Sequence, residues 1–348
     1  MSQKKQKNVS NPMAKGPIDL AFLLLAVLLV AIGLIMVLSA SYASAYYDIE
    51  GISGNKSTYY FMRQAAFALF GLVVMFGVSK IDYTRYRNIA FLALIGSIIL
   101  LVLVIIPGVG HTANGATRWI QLPGLQFQPS EFAKLGVILY FSARLSKRED
   151  RKPLSFSRRT VGGQFGNWFE RAGFFELVPY CIVLLVIIFL LKLEPHMSAT
   201  ILIIVVAASI LFAAGIKLGW FVVGGVVVVT GLGLIIMTTD YMTSRIQLWQ
   251  DPWADALGKG YQAIQSLLAI GSGGLLGLGL GNSRQKFLYL PEEHNDFIFS
   301  IICEELGFIG AALILTLFAI LIIRGYWIAM HARDRFGTYM VVGVITLL

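Results

Sequence analysis

Hydrophobic and polar positions in this chain fall into long blocks, not the short repeats of an amphipathic helix or strand. Nine blocks are almost wholly apolar, and most reach or approach the roughly 20 residues that an α-helix needs to cross a bilayer. They cover roughly residues 18–41, 61–79, 88–106, 130–145, 176–192, 198–214, 218–238, 298–323 and 338–348. The pattern predicts an all-α fold, a polytopic membrane helix bundle with nine visible segments.

The two ends of the pattern need separate interpretation. The first apolar run, Ile18 to Leu38, is longer than the roughly 7–15 residues of a signal-peptide core, which predicts an uncleaved first helix. The ninth segment stops after eleven residues, so we expect it to be incomplete. The predicted organisation is a basic cytoplasmic tail over 1–17 and a single multi-pass membrane domain over 18–348.

Composition supports lipid as the solvent of this fold. Charged residues make up 14% of the chain and apolar residues 57%, whereas soluble domains carry about 25% charged residues. The net charge of +9 comes from basic residues in short segments between apolar runs. The positive-inside rule explains that placement, so no nucleic-acid partner is predicted. It also places the N-terminus in the cytoplasm and the long segments 107–129 and 239–297 outside the cytoplasmic membrane.

Charged residues at the start of the fourth helix are the first candidates for chemistry. Glu131 and Lys134 are spaced i, i+3 and share a helix face, as either a structural ion pair or a polar site inside the bundle. Because an unpaired lysine in a membrane is costly, we expect a second partner for Lys134 from the eighth helix, Glu304 or Glu305.

The second outer loop carries the densest polar signal. Its glycines between Gly271 and Gly281 lack the P-loop spacing, so they do not predict a nucleotide site. They form either a flexible, closely packed loop or a segment whose backbone N–H groups approach an anion such as pyrophosphate. Arg284 and Lys286 follow directly and would add positive charge.

A cluster of acids precedes the eighth helix and contains Glu292, Glu293, His294 and Asp296. Asp296 stands at the membrane boundary, where we expect partial desolvation. Three interpretations stay open: a general base, a site for a divalent cation such as Mg²⁺ or Mn²⁺, or an acidic cap of a helix N-terminus. The metal ligands of such a site are unknown from sequence.

Several motifs occur together and in order along the chain. They are Arg118-Trp119-Ile120, Gln128-Pro129-Ser130-Glu131 with Lys134, Glu194-Pro195, Gly260-Tyr261-Gln262, Gln285-Lys286, Tyr289-Leu290-Pro291-Glu292, Asp296-Phe297-Ile298-Phe299 and Glu304-Glu305-Leu306-Gly307. On these residues the chain resembles the SEDS family of bacterial membrane proteins, which includes FtsW, RodA and SpoVE. The pattern is more similar to FtsW and SpoVE than to RodA.

The resemblance implies a ten-helix fold and a peptidoglycan glycosyltransferase that polymerises lipid II in septal or spore-wall synthesis. It implies a class B penicillin-binding protein and other divisome proteins as partners. The essential acid of the family corresponds to Asp296, and its membrane acid and lysine correspond to Glu131 and Lys134. We expect Arg118, Arg284 and Lys286 to bind the leaving pyrophosphate. We expect Glu131, Lys134, Glu304 and Glu305 to form a supporting polar network.

Two departures from the family pattern accompany the resemblance. His196 stands where the family usually has an aspartate, and the last helix with its Gly/Ser-rich motif is missing, as in a C-terminally truncated chain. Two alternative functions remain, a flippase of lipid-linked precursor and a scaffold for a penicillin-binding protein. The intramembrane charges motivate the flippase, but the chain shows no paired inverted repeats, and its richest polar sequence lies at the outer surface.

Overall fold

A computed structural model describes residues 18–47, 51, 53–113, 116–122, 125–148, 164, 167, 170–171, 173–194, 196–238 and 240–348. The predicted cytoplasmic tail over 1–17 and most of the basic connector after Lys147 lie outside the described residues. The chain divides into two compact units, Met1–Ala65 with Ala269–Arg324 and Ala66–Leu268 with Gly325–Leu348. The assignment of 18–348 to a single membrane domain stays a prediction.

Each of the nine apolar blocks forms a helix in the described chain. Two shorter helices, α8 and α9, lie in the second outer loop. In chain order the helices are α1 Leu20–Tyr47, α2 Tyr59–Ser79, α3 Thr84–Ile105, α4 Pro129–Leu145, α5 Phe174–Leu193, α6 Met197–Ala213, α7 Leu218–Thr238, α8 Asp240–Gln250, α9 Tyr261–Ser272, α10 Ile298–Met330 and α11 Arg335–Ile345. The predicted all-α membrane bundle is confirmed.

Five of these helices, α1, α2, α3, α5 and α10, are long and apolar enough to cross a membrane. Large apolar side chains on them point outward; Phe70, Leu92 and Leu185 are each about two-thirds exposed, at 67%, 67% and 66%. A soluble protein rarely displays so many exposed apolar side chains, whereas lipid would cover them.

The segment 107–129, between the third and fourth apolar blocks, contains a small antiparallel sheet that the hydrophobic pattern did not predict. Its strands are β1 Gly110–Ala113, β2 Ala116–Leu122 and β3 Leu125–Phe127, in the order β1-β2-β3. Ile120 of β2 pairs with Gly110 on one side and with Phe127 on the other. The sheet places Arg118 on its central strand, just before the chain enters α4.

The larger unit packs around α4. Gly136 lets α4 approach α3 closely, because a Cβ at this position would come within 2.7 Å of the Ser97 hydroxyl oxygen. Phe141, Leu191 and Ile203 are fully buried in the same cluster and join α4, α5 and α6. The N-terminus of α4, with Glu131 and Lys134, therefore lies on a packed base.

The smaller unit brings α1 against the first half of α10. Met36 of α1 packs with Ile302 and Ile314, while Ala40 packs with Ile301 and with Leu290 of the loop that precedes α10. The helix α10 is interrupted at Gly307, which has φ 67° and ψ −171°. The interruption follows directly after Glu304 and Glu305.

Candidate active site

The glycine-rich loop pairs its backbone with the interruption of α10. The Leu278 and Gly279 N–H groups donate to the carbonyls of Glu304 and Glu305 at 2.9 and 3.0 Å, and the Phe308 N–H donates to the Gly274 carbonyl at 2.9 Å. Gly277 has φ 79°, and a Cβ there would clash with the Glu305 carbonyl. Glycine is thus required both by the left-handed backbone and by the close approach.

Glu304 is buried and accepts donors from the turn after the glycines. Its carboxylate accepts from the Ser283 hydroxyl at 2.5 Å, the Arg284 N–H at 2.9 Å and the Gln285 N–H at 3.4 Å. Charge-assisted hydrogen bonds of this kind compensate for the lost hydration of a buried carboxylate. The glycine loop therefore wraps an anion that belongs to the protein itself.

Glu305 is fully buried and has partners on both the loop and α1. Its carboxylate lies 3.0 Å from the Lys286 ammonium, accepts from the Ser283 N–H at 3.3 Å, and has the Ser39 hydroxyl at 2.7 Å from each oxygen. Glu304 and Glu305 thus both take part in a polar network with the loop; the larger network that includes Glu131 and Lys134 stays a prediction. Their partners lie within their own unit, and the pairing of Glu304 or Glu305 with Lys134 stays a prediction.

Asp296 lies on the turn that leads into α10, and its side chain is exposed. The expectation of a partly desolvated carboxylate is wrong, because the loop buries other side chains of the cluster instead. Glu293 is 4% exposed and lies 3.8 Å from the His294 ring, which in turn contacts the Tyr60 ring with centroids 4.4 Å apart. Arg284 is also exposed, while Lys286 is 3% exposed.

A second polar cluster lies in the larger unit, at the N-terminus of α4 and the turn between α5 and α6. The Lys134 ammonium lies 2.6 Å from the Glu131 carboxylate; the lysine side chain is 12% exposed and the glutamate side chain 57%. The Gln128 amide nitrogen lies 3.2 Å from His196 Nε2, and Arg118 Nε donates to the Glu194 carbonyl at 3.3 Å. The sheet, α4 and the turn thereby bring Arg118, Glu131 and Lys134 into one region around His196.

Glu194 and His196 have unusual environments in this turn. The Glu194 side chain is 1% exposed and neither carboxylate oxygen has a hydrogen-bond partner in the described structure. Burial raises the pKa of Glu194 to about 7, against the opposing effect of the Arg118 guanidinium. Burial, and then the charge of Arg118, lowers the pKa of His196. Both groups therefore favour their neutral forms.

Metal binding finds little support in these donors. No group of three or more His, Cys, Asp or Glu side chains is placed to hold an ion within the residues that the structure describes. Hard cations such as Mg²⁺ require several oxygen ligands at one point. The carboxylates of Glu304 and Glu305 are instead taken by N–H and O–H donors.

One site residue escaped the sequence interpretation. Ser39 lies in the apolar run of α1, so it does not stand out as a candidate. The only available signal was indirect, since two adjacent buried glutamates require donors from some neighbouring segment.

A membrane helix bundle whose buried acids are held by a glycine-rich loop defines a polytopic membrane protein with a polar site at that loop. The chain belongs to the FtsW, RodA and SpoVE family: the family model described as "Cell cycle protein" matches residues 19–348. The resemblance seen in the motifs is therefore confirmed.

Similar proteins give the same family. A protein of Geobacter sulfurreducens named probable peptidoglycan glycosyltransferase FtsW is 39% identical over 95% of this chain and 82% of its own length. The stage V sporulation protein E of Bacillus subtilis is 38% identical over 95% of this chain and 84% of its own. The structure titled for the coordination of polymerization and crosslinking by a peptidoglycan synthase complex aligns with a TM-score of 0.70 at 25% identity, covering 94% of this chain and 83% of that one. The rod shape determining protein RodA of Thermus thermophilus shares the fold, with a TM-score of 0.61 at 23% identity over 94% of this chain and 81% of its own.

Proposed function

We propose that this chain is a peptidoglycan glycosyltransferase that polymerises lipid II at the outer face of the bacterial cytoplasmic membrane. The observation that carries the proposal is the family match over residues 19–348, together with relatives named for this activity at up to 39% identity. The family description as a cell cycle protein and the sporulation name of one relative favour a role in division or spore-wall synthesis. The N-terminus lies in the cytoplasm in this proposal.

Asp296 is the general base of the proposed reaction. It takes the proton of the acceptor sugar's hydroxyl, whose oxygen bonds to the anomeric carbon of the donor as the bond to the lipid pyrophosphate breaks. An exposed carboxylate also fits an acidic helix cap, and the position of Asp296 in the family motif favours the base. Arg118 and Arg284 would stabilise the charge of the leaving pyrophosphate. No step is assigned to a divalent cation.

A class B penicillin-binding protein is the proposed partner, since the aligned structure comes from a peptidoglycan synthase complex that couples polymerization and crosslinking. Such a partner would cross-link the strand that this chain makes. The Glu131–Lys134 pair and the contacts of Glu304 and Glu305 would each keep their own part of the chain in shape.

Purified protein, alone and with its penicillin-binding partner, tests the function with lipid II as substrate. We expect glycan strands from detergent or liposome samples that contain the chain, and no net crossing of lipid II in liposomes that contain it alone. Lipid II crossing without any polymer would favour the flippase. Polymer that forms only from the partner's own activity, and equally without this chain, would favour the scaffold.

A further inference from the structure

Ser39 is a hydroxyl in an otherwise apolar part of α1, and its contacts explain why it is there. It lies 2.7 Å from both oxygens of the Glu305 carboxylate and 3.4 Å from the Lys286 ammonium. A hydroxyl donates once and accepts twice, so Ser39 can donate to Glu305 and accept from Lys286 together. It thereby connects a membrane helix to the buried ion pair.

The ammonium of Lys286 has no donor left for a ligand. Its three acceptors are the Glu305 carboxylate at 3.0 Å, the Gly281 carbonyl at 2.5 Å and the Ser39 hydroxyl at 3.4 Å. An ammonium has three N–H donors, and the side chain is 3% exposed. A pyrophosphate could reach Lys286 only by displacing these contacts, whereas the side chain of Arg284 is exposed.

Lys286 and Leu290 hold the loop at two positions before Asp296. Upstream, the Lys286 ammonium closes the turn onto the Gly281 carbonyl. Downstream, Leu290 is fully buried against Ala40 and Ile301, only six residues before Asp296. The segment that leads to Asp296 is therefore held by one polar contact, at Lys286, and one apolar contact, at Leu290. Both residues pack between α1 and α10.

We propose that Lys286 and Ser39 are positioning residues, which through Glu305 hold the loop leading to Asp296 in place, and that Lys286 does not bind the pyrophosphate. This inference rests on the proposed function for its kinetic consequences. Its structural part concerns only the smaller unit. It replaces the sequence-based assignment of Lys286 to the leaving group.

The buried ion pair of Lys286 and Glu305 allows the positioning role to be tested. Removing one partner leaves the other charge buried and uncompensated, which is strongly unfavourable, whereas neutralising both partners is much less so. A positioning role and a pyrophosphate-binding role of Lys286 therefore predict different results for the double variant in which both Lys286 and Glu305 are neutral.

The first test compares Lys286→Met, Glu305→Gln and the double variant, each assembled with the partner and assayed on lipid II. We expect Lys286→Met to lower kcat at least about tenfold with KM changed less than about twofold, as expected for a loss of alignment. The double variant should be no worse than Lys286→Met alone. A pyrophosphate-binding role predicts instead a raised KM and losses that multiply in the double variant, which would overturn the proposal.

The second test uses a milder change, in case the lysine variant does not fold. Ser39→Ala removes the α1 contact but keeps the ion pair, while Ser44→Ala on the same helix removes only a hydroxyl bond to the Ser41 carbonyl at 3.2 Å. We expect Ser39→Ala to lower kcat about threefold to tenfold, the effect of one lost hydrogen bond, and Ser44→Ala to match the parent.

Hydrogen exchange separates a failure of this inference from a failure of the proposed function. Amides between 277 and 296 should exchange faster in Ser39→Ala than in the parent and in Ser44→Ala, whether or not glycan is made. Unchanged exchange there would overturn the positioning role. Absence of polymer from the unaltered complex would instead contradict only the proposed function.

Discussion

The ammonium of Lys286 lies 3.0 Å from the carboxylate of Glu305, and the two side chains are 3% and 0% exposed. Both belong to a loop and a helix that sequence motifs identify, yet the pairing itself was not expected. Pairing with Glu305 explains why the Lys286 side chain is buried although it directly follows the glycine-rich loop. It leaves Arg284 as the exposed cation of that turn.

Arg284 and Lys286 should therefore respond differently to mutation. Arg284→Ala should lower kcat/KM about tenfold through lost stabilisation of the pyrophosphate, because one charge-assisted contact contributes roughly that factor. Its melting temperature should stay close to the parent, since the side chain is exposed. Kinetics on lipid II and a thermal melt of the same preparations provide the comparison. Parental kinetics in the Arg284→Ala variant would show that Arg284 does not stabilise the leaving pyrophosphate.

Glu304 should matter for stability more than an exposed glutamate of the loop before α10 does. Glu304→Gln weakens three hydrogen bonds to a buried carboxylate and should cost about 1–3 kcal/mol. Glu292→Gln is the matched control, because Glu292 is exposed and accepts from the Asn295 side chain at 2.8 Å. Thermal unfolding in one detergent measures both. Equal melting temperatures for the two variants would contradict the network.

The close contact between the glycine loop and α10 predicts a position-specific effect of alanine. Gly277→Ala introduces a Cβ at a left-handed position that faces the Glu305 carbonyl, so it should cost more than about 1 kcal/mol. Gly271→Ala lies within α9 with nothing near its Cβ, and it should be neutral or stabilising by up to about 1 kcal/mol. The melting temperatures of the two variants measure this difference. Similar losses at both positions would contradict the close contact between Gly277 and the Glu305 carbonyl.

Glu194 should give the protein a pH-dependent stability. Because its pKa is raised from 4.5 to about 7, the folded state binds the proton more tightly than the unfolded state. Stability is then lost as pH rises from about 4.5 to about 7, by roughly 3 kcal/mol from this group, and is constant above. Glu194→Gln should melt higher than the parent at pH 8, and the difference should shrink toward pH 5.

The control for the chemical change itself is Glu292→Gln, at an exposed glutamate of a different loop. His196 contributes the opposite trend, since its lowered pKa removes stability as pH falls. Comparing Glu194→Gln with the parent isolates the glutamate. A constant difference between pH 5 and pH 8 would show that Glu194 is not protonated in the folded protein.

Hydropathy predicted each apolar helix because one physical requirement, burial of apolar residues in lipid, determines those segments. The three-stranded sheet escaped because its strands are three to seven residues long, too short for an alternating pattern to be diagnostic. Motif spacing identified Glu304 and Glu305, but their partners depend on how the loop folds back over α10. Ser39 could not be found from sequence, since nothing local distinguishes it from other small residues in a membrane helix.

The most direct test of the account is glycan polymerisation by Asp296→Asn in complex with its penicillin-binding partner. Asp251→Asn is the matched control, because Asp251 is an exposed acid of the same outer loop that caps the Trp253 N–H, which asparagine can also do. The account predicts parental strand synthesis in the control and a loss of at least about a hundredfold in Asp296→Asn, the contribution expected of a general base. Both variants should melt like the parent. Strand synthesis by Asp296→Asn at the parental rate would contradict the assignment of the base and, with it, the proposed mechanism.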